Sequence, residues 1–158
     1  LKWSKFIMGG VSMFVGKFNN SIDSKSRLIV PAKFREELGG RCVVAKSLDE
    51  CLTIYPVVEW RKLADKLDEL PRSNPRTRKV KRHYFSSAAE CDVDKQGRLT
   101  IPQELKDYAG IDKDLVTIGN NRTIEVWSKE FWDAELDPET GELISASEAA
   151  EGLEIYGF

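Results

Sequence analysis

The sequence predicts an α+β fold made of two tandem copies of one small unit, and three observations carry that prediction. First, Asp23, Arg27, Leu28, Val30 and Pro31 read Asp-x-x-x-Arg-Leu-x-Val-Pro, and Asp94, Arg98, Leu99, Ile101 and Pro102 repeat the spacing 71 residues later. Second, the register continues beyond the motif. Ile22 answers to Val93, Phe34 to Leu105, Arg35 to Lys106, Glu36 to Asp107 and Gly39 to Gly110; with one residue inserted, Leu52, Ile54, Tyr55 and Trp60 answer to Ile124, Val126, Trp127 and Trp132. Third, each copy alternates short strand signals with a short helical pattern, all bounded by turn residues. A unit too small to bury a core alone completes it by packing on its copy.

Residues 13–22 alternate in the manner of a half-buried strand, with Phe14, Gly16 and Phe18 on one side. Asp23 favours a turn start through side chain to backbone hydrogen bonds, and the β-branched residues after Arg27 suit a second strand. Strand, tight turn, strand is therefore the expectation in each copy. Pro31 and Pro102 are expected to end the second strand and to occupy the first turn of a helix, where a missing N–H is harmless. Residues 32–38 form that helix, with Phe34 and Leu38 on one face and Gly39-Gly40 as the stop. Strands follow over 41–45 and 52–55. Beyond Pro56 the spacing of Trp60, Leu63, Ala64, Leu67 and Leu70 predicts an amphipathic helix ended by Pro71, its apolar stripe on the sheet.

Residues 72–83 hold Arg72, Arg76, Arg78, Lys79, Lys81 and Arg82 with no acidic residue, and Asn74-Pro75 can start a helix there. This basic connector reads equally as a solvated helix face and as a phosphate contact. The second copy brings strands over 89–93 and 98–101, a helix over 103–108 and strands over 115–118 and 123–127. Gly119-Asn120-Asn121 is the expected turn between the last two, and Ser128 the N-cap of a helix carrying Phe131 and Trp132. The expected organisation is thus an upstream extension without order over 1–12, with Met13 or Met8 as the natural start, then a first repeat with helix over 13–71. The connector over 72–88, a second repeat with helix over 89–136 and an acidic, loosely held tail over 137–158 follow, the tail with a short helix around 145–152.

The 158 residues are 41% apolar, ordinary for a soluble protein, and no apolar run approaches the roughly 20 residues that span a bilayer. Cys42, Cys51 and Cys91 form neither a Cys-x-x-Cys pair nor an even disulfide set, so buried reduced thiols and a cytoplasmic location are expected. The net charge of −2 conceals a division. Residues 1–90 carry 18 Lys and Arg against 10 Asp and Glu, whereas 91–158 carry 6 against 16, so one face can attract phosphates while the rest stays anionic.

Enzymatic readings fare poorly. His83 is the only histidine and lies in a cationic stretch, which discourages both base catalysis and metal binding and favours a solvated or backbone-paired ring. Ser24 and Ser26 have no evident base, and no Gly-rich phosphate loop is present, so no catalytic residue, metal or cofactor is expected. The repeated Asp and Arg remain the chemistry-bearing groups. On residue type alone they read equally as exposed ion pairs, worth about 0 to 1 kcal/mol, and as nucleic-acid readers, because a guanidinium fork can grip guanine O6 and N7 or a phosphate.

With the repeat, the turn motif and the basic connector in hand, the chain resembles the MraZ family of bacterial transcriptional regulators. The residues that carry the resemblance are Met13-Phe14-x-Gly16, Asp23-Ser24-Lys25-Ser26-Arg27-Leu28, Tyr55-Pro56, Trp60, Asn74-Pro75 with the basic run, and Asp94-Lys95-Gln96-Gly97-Arg98-Leu99. The resemblance implies two tandem AbrB-like swapped-hairpin repeats, a small β-barrel with flanking helices, forming one pseudo-twofold domain. It implies a closed homo-oligomeric ring, nucleoid-associated, that binds double-stranded DNA at promoter direct repeats upstream of the cell division and cell wall operon. Arg27 and Arg98 become the expected DNA readers, with Lys25, Ser26, Lys33 and Arg35 adding contacts around the first turn and Asp23, Asp94 and Gly97 shaping the turns. Ser26 departs from the pattern, standing where the second copy has Gly97, so a turn needing positive φ there is strained by the side chain. The alternative is an oligomeric or antitoxin-like interaction module on the same fold, with Trp60, Phe85, Trp127 and Trp132 as interface rather than core.

Overall fold

The computed structural model describes residues 13–157, so the expected extension over 1–12 lies outside the described residues. The elements run β1 (Phe14–Ser21), β2 (Arg27–Ile29), α1 (Ala32–Leu38), β3 (Arg41–Lys46), β4 (Leu52–Pro56), α2 (Val57–Asp68) and α3 (Pro75–Phe85). The second half runs β5 (Ala89–Asp92), β6 (Arg98–Thr100), α4 (Gln103–Ala109), β7 (Asp114–Asn121), β8 (Thr123–Ser128), α5 (Lys129–Ala134) and α6 (Ala146–Glu151).

Six strands form one antiparallel sheet in the order β1-β7-β8-β4-β3-β5, and β2 with β6 forms a separate two-stranded ribbon. The expected strand-turn-strand unit is present in each copy, but it does not close on itself. Between the first pair of strands only the bridge Ile22↔Leu28 forms. Instead β1 pairs with β7, β5 with β3 and β2 with β6, each strand crossing to the other repeat. Reading the sheet from either end meets the repeats in the same pattern, so a pseudo-twofold axis passes between β4 and β8 and through the ribbon at Leu28↔Leu99.

Period-2 alternation sorts the side chains into layers. Leu28 and Leu99, wholly buried and opposite one another, point from the ribbon onto the sheet, where they meet Leu52, Ile54, Ile124 and Val126. Matched positions of the two copies fill this core: Val30 with Ile101, and Phe34 with Leu105 from the two short helices. Phe14 and Phe18 set their rings edge-on to Phe34, with centroids 5.3 and 5.2 Å away. The other face of the sheet carries α2, α3 and α5. There Tyr55, Trp60 and Phe85 form a chain of edge-on contacts at 5.2 and 5.5 Å, and Trp127 packs on Trp132 at 5.6 Å. Only Trp127 of these is fully buried, and Phe85 remains 38% exposed.

Several local details differ from expectation. Pro31 and Pro102 sit at the N-cap rather than inside the first turn, because their extended ψ of 134° and 149° keeps them outside the helix that begins at the next residue. The last hairpin turns at 121–122 instead of 119–121. Asn120 still pairs with Thr123, and Asn121 supplies the positive φ of 66° that a two-residue turn needs. Gly119 stays in the strand because β1 crosses it so closely that a Cβ there would lie 2.5 Å from the Phe14 backbone. Helix α2 stops at Asp68, leaving Leu70 44% exposed beyond it. Cys42 and Cys51 are buried thiols and Cys91 is half-buried, all three free, with Cys42 directly opposite Cys91 across β3 and β5. Among the described residues no helix is long and apolar enough to cross a membrane.

Since Leu28 and Leu99 serve one shared core, Leu28→Ala and Leu99→Ala should each cost about 2 to 5 kcal/mol. Denaturant unfolding should show a single transition shifted in either variant. Loss of one half alone, with the other transition unmoved, would contradict the crossed pairing.

Candidate nucleic-acid interface

Each Asp-x-x-x-Arg turn is held by one carboxylate used twice. Asp23 Oδ1 accepts from the backbone N–H groups of Lys25 and Arg27, both at 2.9 Å, and its Oδ2 accepts from Arg27 Nε at 2.8 Å. Asp94 repeats this with Gln96 at 2.9 Å, Arg98 at 2.8 Å and Arg98 Nε at 2.7 Å. The backbone closes both turns, with Ser26 N–H donating to Asp23 O and Gly97 N–H to Asp94 O. The Arg27 backbone N–H foremost, then its guanidinium, holds Asp23 below the ordinary carboxylate value of 3.8, and Arg98 does the same to Asp94. Because Nε is the bound atom, the terminal amino groups of Arg27 carry no hydrogen bond among the described residues. Arg98 spends one of its own on Gln96 at 3.4 Å.

The ribbon places both arginines on one surface. Arg27 lies opposite Thr100 and Arg98 opposite Ile29, while Leu28 and Leu99 between them point inward. Alternation therefore puts Arg27, Ile29, Arg98 and Thr100 together on the outer face. From strand spacing and rise the two arginine Cα atoms stand diagonally about 8 Å apart. Two guanidinium forks oriented by carboxylates on an exposed β-ribbon can engage adjacent phosphates or guanine edges.

The turns are buttressed from the opposite repeats. Arg35 of α1 does not lie at the first turn, where the sequence places it; it crosses the second. Its Nε donates to Val30 O at 2.8 Å, and the side chain covers Gly97 so closely that a Cβ there would overlap Nε and Cζ. Lys106, the matching residue of α4, reaches the first turn and donates to Ser26 Oγ at 2.9 Å. Ser26 has the positive φ of 61° that its departure from glycine made costly, and Gly97 has 78°. A slim lysine thus leaves room for a side chain where the broader arginine does not. Lys106 was missed in the sequence, although its register with Arg35 was the available signal. Ile29 and Thr100 were missed too, and their signal was alternation with the arginine two positions earlier.

Lys25 stands exposed at the tip of the first turn and Lys33 exposed in the first turn of α1. The basic connector folds as α3, capped by Asn74, whose Oδ1 accepts from Arg76 N–H at 2.9 Å. It packs on the face of the sheet opposite the ribbon. Two of its cations are engaged locally, Lys81 with Asp68 at 2.8 Å and Arg78 with the carbonyls of Arg72 and Ser73 at 3.0 Å. His83 is the backbone-paired histidine expected, its Nε2 lying 2.8 Å from Ser47 O.

Two outcomes follow from this geometry. Gly97→Ser should cost about 1 to 3 kcal/mol, from positive φ and a displaced Arg35, and Arg35→Lys in the same chain should recover part of it by copying the Ser26–Lys106 arrangement; thermal unfolding reads both. For pH, a folded-state carboxyl held below its unfolded value contributes its stability in full above that value and loses it as pH falls through the lower folded one. Carboxyl NMR titration should therefore place the midpoints of Asp23 and Asp94 below 3.8.

Comparison with known proteins agrees with the duplicated architecture. The family described as "MraZ protein, putative antitoxin-like" matches twice in tandem, over residues 13–83 and 84–151. A protein of Clostridium tetani is 51% identical over 131 residues, covering 80% of this chain and 92% of the relative. One of Desulforamulus reducens is 51% identical over 121 residues, 77% and 85% of the two chains, and one of Clostridium beijerinckii 52% identical over 120 residues, 76% and 84%. All three are named Transcriptional regulator MraZ, a name for a regulator and not for an enzyme. A tandem match over nearly all of the described chain, with relatives of about half identical sequence, establishes that this chain belongs to the MraZ family.

Proposed function

We propose that this chain is a transcription regulator that binds double-stranded promoter DNA through its two Asp-x-x-x-Arg turns. The observation that carries the proposal is the use of each carboxylate. It clamps each arginine by Nε and, among the described residues, leaves both terminal amino groups of Arg27 and one of those of Arg98 without a hydrogen bond, on a ribbon whose outer face carries both arginines. The targets are direct repeats upstream of the cell division and cell wall operon, read by several subunits of a closed ring. One ribbon makes few contacts, so affinity comes from many subunits whose spacing matches the repeats. Arg27 and Arg98 contact base edges or phosphates; Lys25 and Lys33 add phosphate contacts, and Ser26 with Lys106 shapes the first turn. The protein acts in the cytoplasm at the nucleoid.

The second reading, an antitoxin-like module, is favoured by the wording of the family description alone. A mobility shift separates the two. DNA from the chain's own upstream region should shift specifically, and the affinity should fall steeply with salt, each lost phosphate contact lowering the slope of log K against log salt by about 0.9. Arg27→Ala should abolish the specific shift with circular dichroism unchanged. Lys25→Glu should weaken all sequences alike, whereas Lys79→Glu, on the far side of the sheet, should leave the shift in place. An assembly indifferent to its own promoter at low salt would leave the protein-binding module standing.

A further inference from the structure

We infer that the ribbon reads a thymine methyl group through Ile29, and that its DNA target is asymmetric for this reason; the inference rests on the DNA-binding reading above. Ile29 is 52% exposed, although its chain neighbours Leu28 and Val30 are 0% and 1% exposed. It stands on the outer face directly across from Arg98 and two residues from Arg27, an apolar side chain between two guanidinium groups. Packing does not require it there. The matching position of the second repeat is Thr100, also exposed, so a polar side chain satisfies the fold at this site. The strand at Ile29 is also fixed in place, because Asn20 Nδ2 donates to its carbonyl at 3.2 Å.

A two-stranded ribbon fits a major groove about 12 Å wide, and the methyl of thymine is presented in that groove only. Arginine selects guanine there, and an aliphatic side chain beside it selects the methyl. The roughly 8 Å between the arginines, set by strand spacing, corresponds to two or three base-pair steps. Ile29 then faces a thymine next to the guanine that Arg98 reads. Thr100 offers a hydroxyl and a smaller apolar surface, so the guanines follow the pseudo-twofold axis while the thymine preference falls on one side of it.

The test uses the full chain and the strongest duplex it selects from random-sequence DNA, with each thymine replaced singly by deoxyuridine to delete only the methyl. One replacement should weaken binding by about fourfold, the effect of one buried methylene-sized group. Ile29→Thr should remove that sensitivity without changing the circular dichroism spectrum or the response to Arg27→Ala, and Thr100→Ile should create a second sensitive position across the axis. If every replacement is neutral, or the sensitive position persists in Ile29→Thr, the inference fails while DNA binding through the arginines stands. If the protein selects no sequence at all, the DNA-binding reading fails with it.

Discussion

The pairing of β2 with β6 is the constraint on which everything else in this protein depends. Each strand is three residues long and could not persist alone; it persists because Leu28 and Leu99 seal the ribbon onto the sheet. Two further backbone bonds extend the pairing into the turns, from Val30 N–H to Gly97 O and from Ile101 N–H to Ser26 O, both at 2.8 Å. The positions of the two exposed turns are thereby fixed by the same contacts that close the core. A turn cannot shift without disturbing a buried leucine.

Electrostatics then completes what the backbone begins. A carboxylate on an exposed turn has little effect on stability, yet here it satisfies two backbone donors and one guanidinium nitrogen together. Its contribution is orientation. A long arginine side chain that would otherwise sample many rotamers is tied near its root, so less freedom remains to be lost when a ligand meets its tip. The cations of α3 show the contrast: they lie behind the sheet, partly tied to Asp68 and to loop carbonyls, and do not add to the field at the turns directly.

The parts legible in the sequence were those set by local chemistry. The motif spacing gave both turns and their Asp-to-Arg clamps, periodicity gave α1 over 32–38 residue for residue, and Asn74 and Ser128 announced their caps. Strand partners were not legible, since alternation shows that a segment is a strand and not which strand it joins. Resemblance to a family implied swapped hairpins without naming the strand that β1 joins, which is β7 of the other repeat. For the same reason Arg35 was placed at the turn nearest in sequence, while the crossed pairing delivers it to the other one. The layer occupied by α3 was hidden as well, because a run of like charges says nothing about which face of a sheet the helix rests on.

Both strands of the ribbon belong to one polypeptide, so their association is unimolecular. In an assembly made from separate single-repeat chains, dilution would dissolve the ribbon along with the oligomer. In this protein the connector through α2 and α3 keeps the partners at a fixed effective concentration, whatever the number of copies in solution. A lone protomer therefore retains an intact ribbon with both turns, and growth of any larger assembly changes how many ribbons stand together without changing how each is built.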